Sequence, residues 1–238
     1  MIEPGFQSIE PTPQYPIGVS AATLASYAWE SRAAQVITFK DTLKIELRRI
    51  QLGRCCYCRR LLGDVRDTHL EHFLEKAAFP KFAFEICNLG LSCSTCNGHK
   101  NSKYLRISNF VGRKISKRTG VPTKVMRCAG LSGACGSSLP MTSGNYRWVH
   151  PHFDRFGNHI VIRKGWIYQA CTPKGHRTIQ SLRFNLLGEI ERRNMIERLA
   201  ATSGMTALLW GVVAEFDKFS AKDLVEELVA EIRARKQR

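Results

Sequence analysis

The sequence predicts an α+β protein in which helices flank a small, metal-stapled core of strands. Three observations predict it. Two C-x2-C pairs, Cys55/Cys58 and Cys93/Cys96, bracket the short stretch His69-Leu70-Glu71-His72. Apolar residues recur at helical intervals before this stretch and again near the end of the chain. Between them, two β-rich runs meet at Lys164-Gly165, a plausible hairpin turn.

The elements follow in order. Residues 1–20 carry Pro4, Pro11, Pro13 and Pro16, which rule out a continuous helix and predict an extended arm. From Ala21 to Leu52 the pattern is helical. Phe39, Leu43, Leu47 and Ile50 share one face, and Gly53 is placed to end the helix. Cys55 and Cys58, followed by a turn-rich run to Asp64, have the form of a metal knuckle in a hairpin. His159–Arg163 and Trp166–Gln169 read as strands, while 188–201, 203–217 and 221–236 read as helices. The last carries an apolar stripe of Leu224, Leu228 and Ile232 that suits core packing or a partner. The expected divisions are an arm (1–20), a helical region (21–54), a metal-stapled core (55–105), a basic insertion with a hairpin (106–170) and a helical region (171–238).

Composition narrows the function classes. With 44% hydrophobic and 24% charged residues, the 238-residue chain can bury a real core. Its net charge of +16 suits a polyanionic partner, since each phosphate neutralised by Lys or Arg releases condensed counterions. From Ile86 to Phe153 there is no Asp or Glu, while Lys100, Lys103, Arg106, Arg113, Lys114, Lys117, Arg118, Lys124, Arg127 and Arg147 occur. Tyr104, Phe110, Tyr146 and Trp148 are interleaved, as aromatics that stack on bases would be. No signal peptide is visible at the N-terminus, and no apolar run approaches the roughly 20 residues that cross a bilayer. The expected location is cytoplasmic, without a membrane partner. In that compartment paired cysteines favour a metal over disulfides.

The cysteine pairs supply four thiolates, the donor set of a closed tetrahedral zinc site. Cys56 lies outside the better spacing and is not expected to ligate. Cys128 and Cys135, spaced C-x6-C near His150 and His152, are expected to be free thiols. Around Asp154, a polar turn is a simpler account than a further metal site with His152 and His159. Within the main insert, a strand would send His69 and Glu71 to one face and His72 to the other. A carboxylate beside a neutral histidine can divide labour, one binding a hard cation and the other taking a proton from water. Asn88 lies before Cys93; Asn97 directly follows Cys96, with Lys100 beyond.

Taken together, Glu71-His72, Asn88-Leu89 and Cys93-Ser-Thr-Cys96-Asn97-Gly-His-Lys100 resemble the HNH endonucleases. That resemblance implies a zinc-stapled, treble-clef-like ββα-metal core spanning about 50 residues. It implies His72 as the general base, Asn88 as its orienter, and Glu71 with Asn97 as ligands of a catalytic Mg2+ or Mn2+ ion. His99 is the rival to Asn97. It implies structural zinc on Cys55, Cys58, Cys93 and Cys96, and nucleic acid as substrate, DNA ahead of RNA. More narrowly, Cys-x-Tyr-Cys, His-x-Glu-His-Phe with Lys76, and a later Arg177-Thr178-Ile179, Leu182, Asn185, Leu187, Arg192-Arg193 pattern resemble the PtuB-type proteins of Septu and retron-associated antiphage systems. This implies an SMC/ABC-like ATPase, PtuA, as partner. Glu75 departs from that group, which has proline there, as does the long basic segment after Lys103. A zinc-stabilised binding module without catalysis and a stand-alone homing or restriction nuclease remain the alternatives.

Overall fold

A computed structural model of the chain describes residues 1–63, 68–100 and 138–201, with side chains to residue 197. The expected basic run from Lys103 to Arg127, the aromatics Tyr104 and Phe110, the thiols Cys128 and Cys135, and the two final helices lie outside the described residues. Two compact units are present, Met1–Leu186 and Leu187–Arg238. No described helix is long and apolar enough to cross a membrane.

The helix expected over residues 21–52 is broken into two. Helix α1 is the single turn Ala21–Leu24, started by Ser20, whose side chain caps the Thr23 amide while Thr23 caps back. Helix α2 spans Ala34–Ile50 and buries Val36, Phe39, Leu43, Leu47 and Ile50 along one stripe. The break between them has a tertiary cause. It brings Trp29 inward, where Lys40 from the first turns of α2 donates to the Trp29 carbonyl and lies 4.5 Å over its ring. Leu52 and Gly53 adopt positive φ (51° and 65°), and the Gly53 amide returns to the Arg48 carbonyl, closing α2.

The chain next forms the knuckle. The Cys55 amide bonds the Arg60 carbonyl, and the Leu62 amide bonds the Gly53 carbonyl. Strands β1 (Thr68–His72) and β2 (Leu89–Cys93) pair antiparallel, with Glu71 opposite Gly90 and His72 opposite Leu89. Helix begins immediately after β2, over residues 94–100 (α3). Two strands and a helix therefore follow one another around the second cysteine pair.

Gln51, fully buried at the end of α2, ties helix to sheet. Its side-chain carbonyl accepts from the Leu91 amide (2.8 Å), and its amide donates to the Leu91 and Arg54 carbonyls (2.9 and 2.6 Å). The Cys56 amide also donates to the Leu91 carbonyl (2.7 Å), so the knuckle and α2 seize the same residue of β2.

Farther on, α4 (Phe156–His159) leads into the hairpin β3 (Ile160–Arg163) and β4 (Ile167–Ala170), joined by a three-residue loop in which Gly165 and Trp166 take positive φ. Helix α5 (Pro173–Ser181) starts with Thr172 as N-cap and Pro173 in its first turn. The proline-rich arm is extended but well packed. The Ile2 amide pairs with the Ile162 carbonyl, the Ile9 amide with the Pro151 carbonyl, and Phe6 and Ile9 are buried. In the second unit, α6 (Leu187–Ala201) is helical, with Arg193 and Glu189 ion-paired one turn apart at 3.7 Å.

Gln51→Leu should leave the Leu91 amide without a partner and cost about 2 kcal/mol of stability. Denaturant unfolding of the two proteins checks it.

Candidate metal centre and adjoining cavity

The four expected cysteines are brought together. The Sγ atoms of Cys55, Cys58, Cys93 and Cys96 all lie within 4.8 Å of one another, and all four residues are buried. Cys58 Sγ and Cys93 Sγ are 3.9 Å apart. A tetrahedron of thiolates about 2.3 Å from zinc has edges of about 3.8 Å, whereas a disulfide would place the sulfurs about 2.05 Å apart. The site can hold a metal ion and is compatible with structural zinc. Backbone amides of Cys93 and Cys96 point at Cys55 Sγ and Cys93 Sγ, each at 3.4 Å, as donors that favour thiolates.

Cys56 sits outside the tetrad, packed against Gly90 of β2, where an added Cβ would come within 3.2 Å of it. Burial pushes its thiol well up, so it stays protonated.

Arg59 adds a charge argument that the sequence did not offer. Fully buried, it stacks on Phe6 (3.7 Å) and Phe156 (4.5 Å) and donates to the Cys56 and Gln7 carbonyls (3.0 and 3.1 Å). Burial pulls its guanidinium down to about 10, opposed by the cysteines beside it, so it is cationic at neutral pH. Four thiolates around a divalent ion leave a net charge of −2, and a buried cation next to them offsets it.

Beside the metal centre, a cavity of about 310 Å3 is lined by residues that include Trp29, His69, Glu71, His72, Glu75, Lys76, Asn97 and Lys100. Glu71 and His72 border it together. Neighbours on a strand point to opposite faces, but β1 ends at His72 and the cavity wraps that end.

The His72 ring is held on two sides. Its Nε2 lies 3.0 Å from the Ala83 carbonyl, and Trp29 meets it edge-on with ring centroids 4.3 Å apart. A carbonyl only accepts, so Nε2 carries the hydrogen. Burial lowers the His72 pKa to about 4, which leaves the neutral ring with its lone pair on Nδ1.

The Asn88 side chain makes its hydrogen bonds to the loop after β1. It accepts from the Leu74 amide (2.7 Å) and donates to the Leu74 and Phe82 carbonyls (3.1 and 3.0 Å). It thereby fixes both ends of the 74–82 loop and, through Phe82, the adjoining Ala83 carbonyl that holds His72. Glu71 is buried and ion-paired to Lys100 at 2.7 Å. Burial raises its carboxyl pKa, while the Lys100 ammonium pulls the other way. Asn97 lines the cavity from α3. His99 turns elsewhere, donating from Nδ1 to the Leu182 carbonyl (2.9 Å) at the end of α5.

One further reading changes. Tyr146 and Trp148 are 3% exposed, and each ring meets Phe73 edge-on, so they are core and cannot stack on bases. His150 and His152 serve as structural groups. His150 packs on Phe73, Tyr146 and Phe153, while His152 Nε2 donates to the Leu89 carbonyl (2.8 Å). Asp154 centres a polar turn, receiving the His150 amide (2.7 Å) and the Lys174 ammonium (2.6 Å), with His159 at 3.3 Å.

The later motif residues also do structural work. Thr178 accepts from the Val149 amide (2.9 Å), and the Asn185 side chain bonds both the amide and the carbonyl of Tyr168 (2.9 and 2.8 Å). Sequence reasoning missed Trp29 and the Ala83 carbonyl, whose roles depend on loop paths. It noted Glu75 only as a departure from proline.

No protein-family model matches the chain. Over 64 residues, 26% of its length, it is 34% identical to Septu protein PtuB of Bacillus thuringiensis. The matched stretch is 25% of that relative, so the chain spans about a quarter of the curated protein it resembles.

Cys93→Ser should lower both metal content and thermal stability, because a structural metal contributes directly to folding; unchanged zinc by elemental analysis would refute the four-cysteine site. A second expectation concerns pH. Burial holds His150 well below its ordinary pKa and His152 at about 4, so both stay neutral in the fold. Unfolded histidines titrate near 6.5, so the unfolded chain takes up protons first as pH falls. The stability from these two groups is present above pH 6.5 and declines towards pH 4, by at most about 1.4 kcal/mol per pH unit for each. Imidazole NMR titration should find both rings neutral at pH 5.5.

Proposed function

We propose that the chain is a metal-dependent HNH-type endonuclease that hydrolyses phosphodiester bonds, with DNA as its first expected substrate. The observation that carries this reading is the His72 ring. It is neutral, fixed with Nε2–H on the Ala83 carbonyl, and borders the same cavity as Glu71 and Asn97. A fixed imidazole with a free lone pair on Nδ1 is suited to take a proton from an attacking water.

The donor set at the cavity suits a hard ion. Glu71 offers a carboxylate and Asn97 an amide carbonyl, both oxygen ligands of the kind Mg2+ and Mn2+ accept. Bound there, such an ion would stabilise charge on a phosphate oxygen and on the leaving 3′ oxygen. The chain's own residues supply the rest. His72 receives the proton, the Ala83 carbonyl and Trp29 hold its ring, and Asn88 holds the loop that carries Ala83. The four-cysteine site, read as zinc, sets β2 and α3 so that Asn97 reaches the cavity. The strand–strand–helix order around Cys93 supports an HNH ββα core.

The likeness to Septu protein PtuB supports a role in antiphage defence, with a PtuA-like ATPase as the partner. The net charge of +16 supports nucleic acid as the substrate.

His72→Ala should abolish Mg2+- or Mn2+-dependent cleavage of plasmid DNA, a loss of at least about 100-fold, with zinc content and thermal melting retained. Equal cleavage by both proteins would remove His72 from the role of base. Absence of cleavage by the wild type, tested with the co-expressed ATPase, would favour a binding module without catalysis.

A further inference from the structure

We propose that Lys76 grips a phosphodiester oxygen at the cavity and that Glu30 holds it ready until a strand arrives, a role that rests on this cavity being where the phosphodiester lies. Lys76 lines the cavity together with Trp29, Glu71 and His72. Its ammonium is ion-paired with the Glu30 carboxylate, which comes from 46 positions earlier in the chain. The break between α1 and α2 thus supplies two consecutive side chains here. Trp29 meets the His72 ring, and Glu30 takes the Lys76 ammonium.

The backbone on both sides of the pair is fixed, while the pair itself is open to water. The Ala78 and Phe79 amides donate to the Glu75 carbonyl at 3.0 and 2.9 Å, closing the turn that carries Lys76, and Asn88 pins Leu74 just before it. Opposite, the Ser31 amide donates to the Ala28 carbonyl (3.0 Å), closing the turn that carries Trp29 and Glu30, and Trp29 packs on Phe84 with ring centroids 5.3 Å apart. The Lys76 and Glu30 side chains are 39% and 71% exposed. Hydrogen bonding to Lys76 holds the Glu30 carboxyl below its ordinary range, so both partners are charged at neutral pH. An ion pair this exposed contributes little, because water solvates each partner well and two side chains must be held in one geometry. A phosphodiester oxygen carries charge of the same sign as the carboxylate and accepts the same ammonium protons. Exchanging Glu30 for a phosphate therefore costs little. The charges of Lys76 and Glu30 both act on the His72 ring, which places the pair within electrostatic reach of the candidate base. A phosphate taken up by Lys76 is thereby brought beside the group that receives the proton of water.

The test is binding of a short fluorescein-labelled DNA duplex to the zinc-loaded full chain, followed by anisotropy over a series of salt concentrations. Mg2+ and Mn2+ are left out so that the duplex stays intact. Lys76→Met should weaken binding severalfold and reduce the slope of log affinity against log salt by about one, the mark of one lost phosphate contact. Glu30→Gln should tighten binding by about two- to fivefold, since the ammonium no longer has to leave a carboxylate. In the double variant that gain should vanish, because no lysine is left to release. An equal gain from Glu30→Gln with and without Lys76 would reduce Glu30 to a repelling charge and overturn the exchange. Unchanged affinity and slope in Lys76→Met, or a wild type that does not bind the duplex, would overturn the phosphate contact. Mg2+-dependent cleavage, measured alongside, separates the two readings. The expected binding pattern in a protein that does not cleave supports the contact and removes the nuclease, whereas cleavage that depends on His72 with binding indifferent to Lys76 does the reverse. Melting temperatures near wild type show that folded proteins are being compared.

Discussion

The four thiols are the constraint on which the rest of the first unit depends. They join two parts of the chain separated by a long insert, the knuckle after α2 and the junction of β2 with α3. Because both ends of the insert are clamped, β1 has to lie against β2, and the loop between the strands has to double back over the cavity. The tetrad is also where buried charge concentrates. Arg59 lies beside it among Phe6, Phe156 and backbone carbonyls, which is tolerable for a guanidinium only where negative charge is close.

From this anchor the polar residues form a relay of backbone pins. Gln51 holds Leu91 in the middle of β2. His152 holds Leu89 at its start. Asn88 fixes the loop, and the loop presents the Ala83 carbonyl to His72. Each link is a side chain bonded to backbone amide or carbonyl groups that the irregular segment cannot satisfy by itself. Trp29 and Lys76 line the same cavity as His72. Lys76 is itself ion-paired with Glu30.

Lys100 links this lining to the helix. A buried ammonium is costly unless all of its protons are paired, and here two carboxylates and a carbonyl surround it. The same arrangement keeps Glu71 against the cavity. One set of contacts therefore holds β1, the loop after it and α3 together.

Much of this was legible in the sequence. The C-x2-C spacings named the four thiols, because two cysteine pairs at knuckle spacing supply the donor set of a tetrahedral metal site. Helical periodicity located the buried face of α2, and the turn at Lys164-Gly165 located the β3–β4 hairpin. Local pattern could not locate the break at residues 25–33, since Trp29 leaves the helix to meet His72, a contact across 43 positions. Nor could it separate Tyr146 and Trp148, which are core, from aromatics that face solvent, because burial depends on what packs opposite. Asn88 was identifiable as a residue of interest, but its action through the Phe82–Ala83 backbone was not. Sequence alone determined which donors the chain possesses and which of them lie near one another along it. Tertiary structure alone decided which carbonyl fixes the His72 tautomer, which way His99 turns, and which carboxylates share Lys100, because each depends on groups brought together from distant segments.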